Sequence, residues 1–375
     1  MQKTVDGSLE TVTRANPFFA VALFDQKVRS LRALAALGGH IASVIPLSVL
    51  DLYPVSTGVT PTQAIRDSLE LAQRVDVLGY HRYWVAEHHN MPSIASSAPE
   101  VLIGHVAGLT KRIRVGSGGI MIPNHTPLRV VEIFRTLEAL YPGRIDLGVG
   151  RAPGTDRVTS AALRHASSES VERIAETLAF GERGFPDGHP FAEIEAMPSD
   201  APLPPMWMLG STAAGAAIAA KLGLPFAFAG HFNMADADDA LDAYREQFRP
   251  SPSCREPRVM MAVGVICADT NERAQTLAQP IKVAVARLAS GERKPFPSVE
   301  EAAAYRFRPA DEPAIQRFTR GAIVGDEATV KSGLDALIER TEADEIMIST
   351  MIPDLRDRIA SYEGIARAWG ISPGR

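Results

Sequence analysis

Five short stretches of this 375-residue chain hold the side chains best suited to chemistry: Glu87-His88-His89, Asn124-His125, Gly150-Arg151, Gly210-Ser211-Thr212 and Gly230-His231. Imidazole exchanges protons near neutral pH, so the adjacent histidines suit acid-base work, contact with a cofactor, or a hydrogen-bonded place in the core. Arg151 suits a bidentate clamp on a phosphate or carboxylate, or an ion pair that holds its loop. Ser211 and Thr212 stand where a helix opens after a strand, and its free amides and dipole favour an anion there. An ordinary N-cap accounts for the two hydroxyls equally well.

Each stretch follows a short apolar run, and the runs alternate with amphipathic segments, the pattern of a parallel sheet covered by helices. Strands are expected at 41–49, 82–86, 113–122, 145–149, 206–209, 226–229, 258–268 and 345–350. Helices are expected at 61–78, 99–109, 127–140, 168–180, from 213 to Gly223, 235–248, 271–288, 326–340 and 354–369. Eight strand-helix units can close on themselves and leave no edge, so the fold class is α/β, a (β/α)8 TIM barrel over residues 41–372. Insertions are expected after the fourth and seventh strands, at 184–205 and 289–325. Residues 1–40 read as a flexible N-terminal extension. In such a barrel function gathers at the carboxyl ends of the strands, where all five stretches fall.

Two nucleotide motifs are excluded. The glycines at 148, 150 and 154 are spaced G-x-G-x-x-x-G, and Pro153-Gly154 breaks the helix a dinucleotide fingerprint needs. No Gly-Lys-Ser/Thr follows to make a Walker loop. A metal site is not expected either, because the first strand offers no His-x-His pair. The net charge of -5 and pI near 6.0 give no basic surface for nucleic acid. Cys254 and Cys267 show no metal-like spacing and suggest a reducing compartment, so a cytoplasmic location is expected. No apolar run is long enough to span a bilayer.

Taken together, Trp84-Val85-Ala86-Glu87-His88-His89, Arg114-Val115-Gly116-Ser117-Gly118-Gly119, Pro142-Gly143-Arg144-Ile145-Asp146-Leu147-Gly148 with Gly150-Arg151, and Leu209-Gly210-Ser211 resemble the bacterial luciferase-like flavin monooxygenases, in particular the single-component branch. The resemblance covers residues 41 to about 370. It implies a barrel that binds FMN, takes the flavin reduced from a separate reductase, and uses O2 to oxygenate a small organic substrate, an aldehyde by kinship. His88 matches the family's catalytic histidine, with Glu87 beside it. Arg151 matches the arginine that holds the flavin phosphate, and Ser211 a hydroxyl that contacts it.

The same resemblance puts a non-proline cis peptide at Gly118-Gly119, and makes Ala86, Gly118, Gly119, Gly150, Gly210 and Thr212 further cofactor contacts. A homodimer is implied as well. Two departures stand out: Ala214-Gly215 occupies the place of a second hydroxyl residue, which leaves more of the phosphate to Arg151, and the forty-residue leader has no counterpart. The two insertions are expected to shield the site from water. Two rivals remain at this level: an F420-dependent dehydrogenase or reductase on the same barrel, and a flavin-binding protein without turnover. No nicotinamide loop is visible, so little direct oxidation of NADH is expected.

Overall fold

The computed structural model describes residues 45–371, and the expected N-terminal extension lies outside them. The strands are β1 (Leu47–Asp51), β2 (Arg82–Val85), β3 (Arg114–Ser117), β4 (Ile120–Met121), β5 (Ile145–Gly150), β6 (Met206–Gly210), β7 (Phe226–Phe228), β8 (Val259–Cys267), β9 (Ile323–Gly325) and β10 (Glu345–Ser349). All their pairings are parallel, in the order β10-β1-β2-β3-β5-β6-β7-β8, and β8 pairs β10 to close the ring. The barrel is the one expected from eight strand-helix units. Its strands read as apolar runs because both faces are buried, one on the barrel axis and one under helices.

Two strands lie off that ring. The third expected strand, 113–122, is interrupted at Gly118-Gly119, and β4 resumes beyond it to pair with β5. β8 changes neighbours along its length. Met260 to Gly264 pairs with Glu345 to Ser349 of β10, then Val265 to Cys267 pairs with β9. The sheet therefore parts between β8 and β10 at the carboxyl end.

Other boundaries moved. The first strand begins at Leu47; residues 41–44 lie outside the described ones. The helix expected at 271–288 is two helices, Asn271–Leu277 and Gln279–Ala289, with Pro280 near the second start. The second insertion holds helices Val299–Ala304 and Glu312–Thr319 besides β9.

Inside the barrel, alternate residues of each strand point to the axis, so Leu50, Trp84, Trp207, Ala227, Met260 and Met347 form one apolar cluster. Below it the amino ends are closed by buried charges. Arg82 donates to Asp146 at 2.7 Å and to Glu345 at 2.9 Å, Arg114 donates to Asp146 at 2.6 Å, and Ser48 donates to Glu345. Burial alone would raise the Asp146 pKa, but Arg114 and Arg82 hold it well below the usual carboxylate range. A paired, fully hydrogen-bonded floor leaves only the carboxyl ends open to a ligand.

Candidate active site

The alternation that builds the core also aims the site. On β2 and its extension Arg82, Trp84, Ala86 and His88 face inward, while Tyr83, Val85 and Glu87 face the surrounding elements. After β7, Ala227 and Ala229 line the interior, and His231 follows them in the short helix Gly230–Asn233. His88 and His231 both line a cavity of about 590 Å³ over the apolar cluster and a second cavity of about 780 Å³ beside it. The two cavities share Leu52, His88, His231 and Phe232, so the imidazoles stand at their junction. Neither Nδ1 has a hydrogen-bond partner, although both atoms are buried. Burial pushes each ring down from 6.5 to about 4; the nearby His88 lowers His231 further, while Glu87 pulls His88 partly back. Both are neutral at physiological pH.

The smaller cavity has a cationic end. Arg151 lines it with Gly150, Gly210, Ser211 and Thr212, at the head of helix Ala213–Leu222. Thr212 caps that helix, its hydroxyl accepting from the Gly215 amide at 3.3 Å. The Arg151 guanidinium, without an ion-pair partner among the described residues, reaches the helix's first turn. Its Nη2 would lie 3.5 Å from a Cβ added to Gly215. A guanidinium beside the first turn of a helix could hold a phosphate.

The other end is apolar and closely approached by backbone. Ala86, Gly118, Leu50, Trp84, Leu209 and Met260 line it. The Gly118-Gly119 peptide is cis. A Cβ on Gly119 would meet the Gly148 carbonyl oxygen at 2.7 Å, so that position excludes a side chain, whereas one on Gly118 would meet Leu50 Cδ1 at 2.7 Å and make the leucine shift. A cationic end joined to an apolar end that backbone approaches closely at Gly118 could hold a phosphorylated ring cofactor.

Two of the expected site residues are placed elsewhere. Gly119 lines neither cavity and faces β5. Glu87, fully buried, also lines neither. Its carboxylate accepts from His89 Nε2 at 2.8 Å, His125 Nε2 at 3.0 Å, Asn124 Nδ2 at 3.0 Å and the Met121 amide at 2.7 Å. Burial would raise this carboxyl, but the bonds from His125, His89 and Asn124 win and hold it at about 2. His125 in return is raised against its own desolvation by Glu87. Glu87 thus ties the segments after β2 and β4 together behind His88.

The first insertion differs from expectation too. Residues 184–205 line neither cavity. The segment packs on the flank of helix Pro127–Leu140, where Arg135 donates to the carbonyls of Ala196 at 2.6 Å and Gly181 at 2.9 Å. The second insertion does wall the larger cavity, through Arg293, Phe296, Phe318 and Val324. Its rim is latched by Arg293, 3.3 Å from Asp156 and donating to the Asn90 carbonyl.

Residues 45–375 match the family model described as luciferase-like monooxygenase. The chain belongs to that family. Among its relatives, the Bacillus subtilis protein YvbT is 45% identical over 86% of this chain and 96% of its own length. An Escherichia coli luciferase-like monooxygenase is 41% identical over 85% and 95%. The crystal structure of apo-MsnO8 superposes with a TM-score of 0.80 at 36% identity, covering 88% of this chain and 99% of that one. More distant luciferase-like folds, each at 17% identity, include an FMN complex of a type II Baeyer-Villiger monooxygenase constituent and an F420-dependent secondary alcohol dehydrogenase.

Within this luciferase-like barrel, His231 is the functional candidate that motif reasoning left without a role. Its only signal was the Gly230-His231 pair after the seventh strand, because residues 230–233 form a short helix that strand alternation does not reach. A period of two does separate inward His88 from outward Glu87.

Proposed function

We propose that the protein is an FMN-dependent monooxygenase that takes reduced flavin from a separate reductase and uses O2 to oxygenate a small organic substrate. The observation that carries this reading is Arg151, without an ion-pair partner among the described residues, set against the first turn of helix Ala213–Leu222 in a cavity whose other end is apolar. Arg151, the amides at the helix head and the free hydroxyl of Ser211 would hold the phosphate. Ala86, Gly118 and Leu209 would lie against the ring. When bound, reduced flavin supplies the electrons with which O2 is activated.

The chain's own contribution is position, proton control and exclusion of water. His88 and His231, neutral and with unpartnered Nδ1 atoms, take up or release a proton at the junction where cofactor side and substrate side meet. Glu87 acts as a positioning residue, fixing the backbone from which His88 projects. The second insertion and the Asp156–Arg293 latch limit water at the larger cavity, which favours transfer over wasteful side reactions.

The test is a titration of the purified protein with FMN and, separately, with F420, followed by oxygen uptake with chemically reduced FMN. FMN binding lost in Arg151→Ala, with flavin-dependent oxygen uptake sensitive to His88→Ala, supports the reading. Tight F420 binding with no FMN binding would replace it by the dehydrogenase alternative. FMN binding without turnover on any added substrate, with oxygen uptake indifferent to His88, would leave a carrier. The expected homodimer and cytoplasmic location are part of the same proposal.

A further inference from the structure

The larger cavity is chiefly apolar, with Leu52, Ile94, Ile281, Val285, Phe296 and Met351 among its walls, yet its charged lining does not balance. Four cations, Lys282, Arg287, Arg293 and Lys294, face two carboxylates, Asp156 and Glu292. Arg293 lies 3.3 Å from Asp156 and Lys294 2.8 Å from Glu292, which accounts for both acids. Arg287 has Glu301 at 3.9 Å, a carboxylate that already accepts from Thr57 at 2.8 Å and the Ser298 amide at 3.2 Å, and the Tyr305 ring centroid at 6.0 Å. The Arg287 Nε is buried with no partner at all. Lys282 is half-buried and has no ion pair among the described residues.

Helix geometry gives this surplus a place. Ala278, Ile281, Lys282, Val285 and Leu288 recur at three- and four-residue spacing along helix Gln279–Ala289 and the residue before it, and all five line the cavity. Lys282 therefore sits in the middle of an apolar stripe rather than on a solvated face. An ammonium so placed loses hydration to its apolar neighbours and regains the most from an anion that enters with an apolar body.

We propose that the larger cavity binds amphipathic monoanions, an apolar chain or ring bearing one carboxylate, and that Lys282 is the carboxylate-binding residue, with Arg287 adding positive potential. This rests on the preceding functional reading only in taking the larger cavity as the substrate side. Cofactor and substrate binding are read separately below, so failure of one does not hide in the other.

The probes are octanoate and its neutral counterpart octanol, titrated calorimetrically into the full-length protein without added flavin. Octanoate is expected to bind at least about tenfold more tightly than octanol, as for one charge-assisted hydrogen bond. In Lys282→Met that preference disappears while octanol affinity stays within about twofold and the FMN titration is unchanged; Lys282→Arg restores it. Equal binding of octanoate and octanol by the unaltered protein overturns the proposal without recourse to a variant. So does an octanoate preference that survives Lys282→Met.

Discussion

Arg151 packs against Gly215 in the first turn of helix Ala213–Leu222, with the guanidinium Nη2 3.5 Å from the point a β-carbon of residue 215 would occupy. A β-carbon there would make ordinary contact with the arginine, so Gly215→Ala is expected to fold normally. Arg151→Ala should weaken FMN binding by about ten- to a hundredfold, the worth of a charged hydrogen-bonding group, and Arg151→Lys should fall between. Flavin fluorescence quenching reads both. Unchanged affinity in Arg151→Ala would remove the phosphate assignment.

Gly119 is expected to tolerate no side chain. Its β-carbon would come within 2.7 Å of the Gly148 carbonyl oxygen and 3.2 Å of the Val149 amide nitrogen, and strand backbone cannot yield as a flexible side chain does. Gly119→Ala should cost about 1–3 kcal/mol of stability, measured by urea unfolding. A variant as stable as the parent would mean that the junction of β4 and β5 has slack.

Glu87 should act on stability before it acts on chemistry. Glu87→Gln keeps the shape but removes the charge that four donors share, two of them imidazole nitrogens, and a broken buried pair costs on the order of 3 kcal/mol. The expected result is a lowered Tm with FMN affinity within a few-fold of the parent. If Tm is unchanged and turnover alone collapses, Glu87 takes part in the reaction directly.

The buried histidines set an acid limit. His88 and His231 fall from 6.5 to about 4 on folding, so the unfolded chain binds their protons first. Their contribution is fully present above pH 6.5 and is lost as pH falls toward 4. Glu87, lowered from 4.5 to about 2, contributes in the same sense over a lower window. His125, raised by its partner, contributes fully below 6.5 and loses that contribution as pH rises through its folded value. Denaturant unfolding between pH 4 and 6.5 should therefore show proton uptake that shrinks by about two protons in the His88→Gln, His231→Gln double variant. An unchanged slope would mean the rings titrate alike in both states.

Much of this was legible in the residues. Eight apolar runs with amphipathic partners gave the barrel, and every chemical motif sat at the carboxyl end of a strand. Arg151 and the 210–212 turn, placed on neighbouring strands by counting, do line one cavity. What went unread depended on direction and on long-range partners. Strand alternation separates inward His88 from outward Glu87, but motif reasoning takes the two as one unit, and His231 is placed by the short helix Gly230–Asn233. Nothing local says that Arg135 holds the 184–205 segment on the barrel's flank, because its acceptors at Gly181 and Ala196 lie 46 and 61 residues away. The break at Gly118-Gly119 and the change of neighbours along β8 are likewise settled by which strand lies alongside.

That change of neighbours has a consequence for how such an enzyme diversifies. The first half of β8 locks the ring through β10, whereas the second half leans on β9, which the second insertion supplies. Gly264, Val265, Ile266, Val324 and Ser349 around the parting all line the larger cavity. Exchanging the segment between the helix ending at Ala289 and β9 would thus recut the chamber while the closing hydrogen bonds and the cationic end of the smaller cavity, on other staves, stay as they are. Tailoring for new molecules can proceed in one seam without unpicking the rest of the garment.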